Sequence, residues 1–98
     1  MKIEKLIQDG NVVLKLSGCL DTIAAPQFTA ALDSVAGDLP LMIDFTGLEF
    51  IASSGLRSLV AAQKKAKAAG RGIVLTGMND VVADVFDITG LKRVFEIR

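Results

Sequence analysis

From residue 39 onward the chain alternates short apolar runs with stretches of helical period, and this alternation restricts the fold more than any other feature. LPLMIDF (39–45), IVL (73–75) and VFEI (94–97) have strand length. The first two are nearly continuous apolar runs, as in strands covered on both faces. Between them Leu56, Leu59, Val60, Ala62, Ala66 and Ala69 mark one helix, ended by Gly70. Between the second and third, Val82, Val85 and Phe86 mark another, with Asp80 as the expected N-cap and Gly90 as its stop. Strand–helix–strand over 40–76 predicts parallel strands joined by a right-handed crossover.

The first forty residues add a hairpin and a helix. IEKLIQ (3–8) and VVLKLS (12–17) flank Asp9-Gly10-Asn11, and Asp-Gly between alternating apolar runs signals a tight hairpin. Val12, Leu14 and Leu16 share one face. Gly18-Cys19-Leu20-Asp21 is expected to leave the sheet. Phe28, Ala31, Leu32 and Val35 recur at i, i+3, i+4 and i+7, which predicts a helix over 25–36. Pro26 suits its first turn and Gly37 the position just past its end. The expected class is α/β: one domain over 1–98, a mixed sheet in ββαβαβαβ order, with helices packed mainly on one face.

Composition narrows the function. Eleven Lys plus Arg balance eleven Asp plus Glu, so no global basic field is available for nucleic acid or an anionic membrane. Hydrophobic residues make up 51% of the chain, yet no run is long enough for a transmembrane helix, and MKIEKLIQDG lacks the apolar core of a signal peptide. Cys19 is the single cysteine and histidine is absent. Internal disulfides, Cys–His catalysis and Cys/His zinc sites are therefore excluded. No phosphate-cradling glycine motif occurs. These omissions favour a cytoplasmic, monomeric binding protein without cofactor or metal over an enzyme.

The stretch EFIASSGLRSLV (49–60) interrupts an apolar run with two serines and a glycine. One reading is structural: serine is a preferred N-cap. The other is a site. Gly55 lies in the first turn, where glycine weakens a helix and commonly signals close approach of another group. A helix N-terminus also tolerates negative charge, so a phosphate there would change the surface without breaking the fold. Among other candidates, Asp44 reads as a turn cap and Cys19 as a strand-end filler. Met42 and Met78 read as core or rim packing. Lys64, Lys65 and Lys67 read as a solvated face, and Phe86 and Leu91 as a seal around the Gly90 turn.

Gly18-Cys19-Leu20-Asp21, then Asp44-Phe45-Thr46-Gly47-Leu48 leading into Ile51-Ala52-Ser53-Ser54-Gly55-Leu56, then Phe86-Asp87-Ile88-Thr89-Gly90-Leu91, resembles the STAS domain, and within it the bacterial anti-sigma factor antagonists. The resemblance spans essentially the whole chain. It implies a protein that binds an anti-sigma factor which is also a serine kinase, and that is released when a serine at the start of the second helix is phosphorylated. A serine phosphatase then resets it. The family motif Asp-Ser-Ser/Thr-Gly maps the modified hydroxyl onto Ser53, and Ser54 onto the unmodified position. The implied partner surface comprises Asp21 and Thr22 with Ala52, Ser53, Ser54, Gly55 and Arg57. Ala52 stands where the family has aspartate. Short STAS proteins also serve as accessory subunits that grip the ATPase of lipid-transporting ABC systems, which is the alternative implied role.

Overall fold

The computed structural model describes residues 1–35 and 40–98. Among these the elements run β1 Lys2–Gln8, β2 Asn11–Leu20, α1 Ala25–Ser34, β3 Leu41–Ile51, α2 Ser53–Ala68, β4 Ile73–Thr76, α3 Asp80–Ile88, a 3-10 turn Leu91–Arg93, and β5 Glu96–Ile97. The ββαβαβαβ order holds. One sheet carries the strands in order β1-β2-β3-β4-β5; β1 is antiparallel to β2 and the remaining neighbours are parallel.

The hairpin turn is built as its sequence demands. Asp9 and Gly10 both have positive φ (53° and 78°), the geometry of a two-residue turn whose twist matches the flanking strands. Parallel neighbours taken in sequence order, each reached by a right-handed crossover, place every helix on the same side of the sheet. The core follows from that. Leu14, Leu16, Ile43, Phe45, Ile73 and Leu75 point to the helices and are buried with Phe28, Leu32, Leu59, Val82 and Phe86. Phe86 packs between Phe45 and Phe95, with ring centroids 6.0 and 6.1 Å away. Leu91 is partly buried against this cluster.

Several expectations change. β2 continues through Gly18 and Cys19 to Leu20 instead of leaving the sheet, with register shifts against β3 between Lys15 and Ser17 and between Gly18 and Cys19. β3 does not stop at Phe45; it runs to Ile51. Nor are β3 and β4 covered on both faces, since Met42, Asp44, Val74 and Thr76 face away from the helices and are half-buried. The last strand shrinks to two residues because Leu91–Arg93 closes a 3-10 turn before it. α1 ends at Ser34; Ala36, Gly37 and the start of the expected 39–45 strand lie outside the described residues. Asp44 is inside β3, where its Oδ1 accepts hydrogen bonds from the Thr46 N–H and hydroxyl.

Gln63 is the buried polar side chain of the core, 4% exposed. Its Nε2 donates to the Val94 carbonyl at 2.7 Å, and its Oε1 accepts from the Ile73 N–H at 2.9 Å. One amide thus ties α2 to the start of β4 and to the turn before β5. Leaving a buried donor and acceptor unpaired costs about 1–3 kcal/mol. Gln63→Leu is therefore expected to lower the unfolding free energy by about that amount, as read from urea denaturation with an unchanged m-value.

Candidate functional site

The carboxyl ends of β2, β3 and β4 meet at one edge of the sheet, where parallel α/β folds place their binding sites. The β2–α1 turn (21–24), the β3–α2 junction at Ala52 and the β4–α3 turn (77–79) all emerge there. Every residue singled out in the sequence around Asp21 and Ser53 is on this edge or on the first turns of α2.

The junction is rigidly held. The Ala52 N–H donates to the Leu20 carbonyl at 2.8 Å, joining the ends of β3 and β2. Ala52 is the N-cap residue of α2, with extended φ/ψ of −89° and 166°, and its carbonyl accepts from the Leu56 N–H at 3.1 Å. Gly55 faces the sheet. A Cβ on it would lie 2.6 Å from Leu20 Cγ and 3.2 Å from Ile51 Cγ1. Only a glycine lets α2 settle this close, so the sequence reading of Gly55 as a close-approach residue holds.

The capping reading of the serines does not. No side chain caps α2. Ser53 is the first helical residue; it is exposed, and its hydroxyl has no hydrogen-bond partner among the described residues. The Ala52–Leu20 bond fixes where the helix begins and places both serines inside it. Ser54 turns toward α1, where its Oγ donates to Thr22 Oγ1 at 3.4 Å. Ser58, one turn on, bonds the Ser54 carbonyl at 3.2 Å and the Thr29 hydroxyl at 2.8 Å. These hydroxyls line an open groove of about 530 Å3 between α1 and α2, bordered by Arg57 and Lys65. Asp21 has a local duty: its Oδ1 accepts from the Ala24 N–H at 2.8 Å and fixes the turn into α1. Thr22 and Arg57 are exposed. Lys64 and Lys67 are solvated, and Lys65 lies 3.7 Å from Asp33 across the α1–α2 pair. Cys19 is exposed and not a filler; its Sγ lies 3.8 Å from Glu49 Oε2.

The same edge carries features that the sequence reading missed. Asn79, not Asp80, is the N-cap of α3: its Oδ1 accepts from the Val82 N–H at 2.8 Å and its Nδ2 donates to the Leu48 carbonyl at 3.1 Å. An aspartate cannot make the second bond. Ile23 is 89% exposed in the β2–α1 turn, Phe50 45% exposed near the end of β3 and Val81 57% exposed at the start of α3. An isoleucine inside a turn, and adjacent apolar residues Phe50-Ile51 on a strand where alternation admits only one inward, were the available signals. Among the described residues no cluster of His, Cys, Asp and Glu is arranged to hold a metal ion, and no helix is long and apolar enough to cross a membrane.

Comparison with known proteins gives a consistent picture. The family model described as "STAS domain" matches residues 2–98. The anti-sigma-B factor antagonist of Listeria monocytogenes is 33% identical over 85 residues, 85% of this chain and 75% of that protein. The anti-sigma-F factor antagonist RsfB of Mycobacterium tuberculosis is 32% identical over 92 residues, 91% and 74% of the two chains. A crystal structure of an anti-sigma factor antagonist from Mycobacterium paratuberculosis superimposes with a TM-score of 0.82 at 31% identity, covering 98% of this chain and 85% of that one. SpoIIAA in its unphosphorylated form shares the fold, with a TM-score of 0.81 at 22% identity, over 99% of this chain and 88% of that one. The Bacillus SpoIIAA structure in the phosphorylated form gives 0.74 at 22% identity, over 99% and 91%.

Stability measurements check the geometry. Gly55→Ala is expected to destabilise the domain by about 1–2 kcal/mol, the overlap with Leu20 outweighing the helix propensity gained. In a double-mutant cycle with Leu20→Ala the two changes should couple by about 1 kcal/mol or more. Ser53→Ala is expected to leave chemical-denaturation stability within about 0.5 kcal/mol of wild type, whereas Asn79→Ala should cost about 1 kcal/mol or more through its cap.

Proposed function

The chain belongs to the STAS domain family, matched from residue 2 to residue 98, and from that membership and the geometry at Ser53 we propose that it acts as an anti-sigma factor antagonist switched by phosphorylation of Ser53. It binds an anti-sigma factor that is also a serine kinase and so releases the sigma factor for transcription. The relatives at 33% and 32% identity are named as antagonists of anti-sigma-B and anti-sigma-F factors, which supports the reading.

One observation carries the switch: the hydroxyl of Ser53 is exposed and unbonded, on a helix start that the Ala52–Leu20 bond and the Gly55 contact hold in place. Ser54 is half-buried and committed to Thr22, so the first serine is the one offered to a kinase. The kinase's ATP supplies the phosphoryl group. The Ser53 Oγ–P bond forms as the bond between the γ-phosphorus and its bridging oxygen breaks, the hydroxyl proton passes to a base of the kinase, and ADP leaves. About two negative charges then stand on the partner surface. The free N–H groups of the first turn of α2 accept them without strain. Binding by the unmodified form draws on exposed apolar groups of the same edge, Ile23, Phe50 and Val81, with Asp21, Thr22 and Arg57 at the rim. Ala52 removes the carboxylate of the family motif, so kinase recognition rests on these groups and not on an acid beside the serine. The protein works in the cytoplasm as a monomer, and a serine phosphatase restores it.

The test is affinity capture from host lysate with wild type, Ser53→Ala and Ser53→Asp, read by mass spectrometry. An ATP-binding serine kinase is expected with the first two baits and is expected to fall roughly tenfold or more with Ser53→Asp, as a charge placed in an interface does. Equal recovery of a transporter ATPase by all three baits would instead assign the chain to the ABC-accessory role.

A further inference from the structure

Helix α2 breaks a rule that most helices keep. Its first turn carries no acidic residue, and Arg57 sits one turn from the positive pole, where a cation is unfavourable. The helix SSGLRSLVAAQKKAKA holds no Asp or Glu at all. Lys65 has Asp33 as a partner. Arg57 is exposed and has no ion pair or hydrogen bond among the described residues. The charge of Arg57 is thus left uncompensated within the described residues, near a helix start where an added anion is favourable.

The position is specific. Arg57 is four residues after Ser53, so the two share one helix face with Cβ atoms about 5–6 Å apart. Arg57 lines the α1–α2 groove beside Ser54, and because helical side chains lean toward the N-terminus its guanidinium is within reach of a group added at Ser53. The favourable order in such pairs is anion first, cation four residues later. A guanidinium also meets two phosphoryl oxygens at once, which an ammonium does not.

We propose that Arg57 is the intramolecular counter-ion of phosphorylated Ser53. It pairs with a carboxylate of the partner while Ser53 is free and folds back onto the phosphate once Ser53 is modified. This rests on the phospho-switch reading above. Phosphorylation then changes the partner surface twice, adding an anion and withdrawing a cation. With Ala52 there is no carboxylate beside the serine to repel the phosphate or to compete for the guanidinium. The other charged groups of this edge are Asp21 in the β2–α1 turn, engaged with the Ala24 N–H, Glu49 near the end of β3 and Asp80 at the start of α3. All three are unchanged in the comparison below.

The experiment installs phosphoserine at position 53 by ribosomal incorporation, so that it does not depend on any kinase. The second ionisation of the phosphate is followed by 31P NMR in full-length protein with Arg57, Arg57→Lys and Arg57→Gln. A pair of the usual i,i+4 strength predicts an ionisation about 0.15–0.4 pH unit lower with Arg57 than with Arg57→Gln, with Arg57→Lys between them. The difference should shrink at about 1 M salt, where the screening length is roughly 3 Å. Identical ionisation in all three proteins would overturn the pairing while leaving the antagonist reading intact. A normal Arg57 effect in a protein that no host kinase modifies would do the reverse. The unphosphorylated variants serve as fold controls by circular dichroism, since Arg57 is exposed and each is expected to be fully native.

Discussion

The contact on which the site depends is the one between Gly55 and Leu20. Leu20 is fully buried at the carboxyl end of β2, and α2 can rest on it only because position 55 lacks a side chain. That close approach, with the Ala52–Leu20 hydrogen bond beside it, fixes the start of the helix to within a residue. Ser53 is thereby displayed at the first helical position instead of being consumed as a cap. A larger residue at 55 would lift the N-terminus off the sheet and with it the geometry by which a partner reads the serine. The proposed switch is therefore built on packing, and its chemistry is confined to one hydroxyl.

Under the proposed function, this separation of support from signal lets a domain of 98 residues take a phosphate at Ser53 without being unfolded. The groups that hold the edge together are backbone amides, Gly55, Asp21 and Asn79, and none of them includes the Ser53 hydroxyl. The groups offered outward are Ser53, Arg57 and the exposed Ile23, Phe50 and Val81. A phosphate added to the second set changes charge and hydration at the interface while the first set is untouched. Ala52 shifts the local charge balance in the positive direction relative to an Asp-Ser-Ser-Gly sequence, which suits the proposed modification of Ser53.

Periodicity made most of the architecture legible. The hairpin, the face of Phe28, Leu32 and Val35, and the crossover order from 40 to 76 all follow from apolar spacing. Boundaries failed where long-range hydrogen bonds decide them. Asp44-Phe45-Thr46-Gly47 reads locally as a turn, yet pairing with β2 through shifted register carries β3 on to Ile51. Asp80 and Asn79 are both good caps by type. Asn79 prevails because its amide also donates to Leu48 on β3, a contact between elements that no local pattern encodes. Ser53 looked like a cap for the same reason, since the bond that sets the helix start joins Ala52 to Leu20, 32 residues earlier in the chain. Arg57 enters from the sequence as part of the partner surface that the family resemblance implies. Its significance emerges only when the acid-free first turn of α2 and its lack of a partner are seen together.

The account stands most directly on one comparison: the unfolding free energy and the kinase affinity of the same protein with and without phosphoserine at position 53. Phosphorylation is predicted to leave the folding stability unchanged or slightly raised while abolishing binding. A phosphorylated protein that loses stability by several kcal/mol would contradict it, because Ser53 would then be part of the structure and not a signal displayed on it. Retained binding by a fully folded phosphoprotein would contradict it equally.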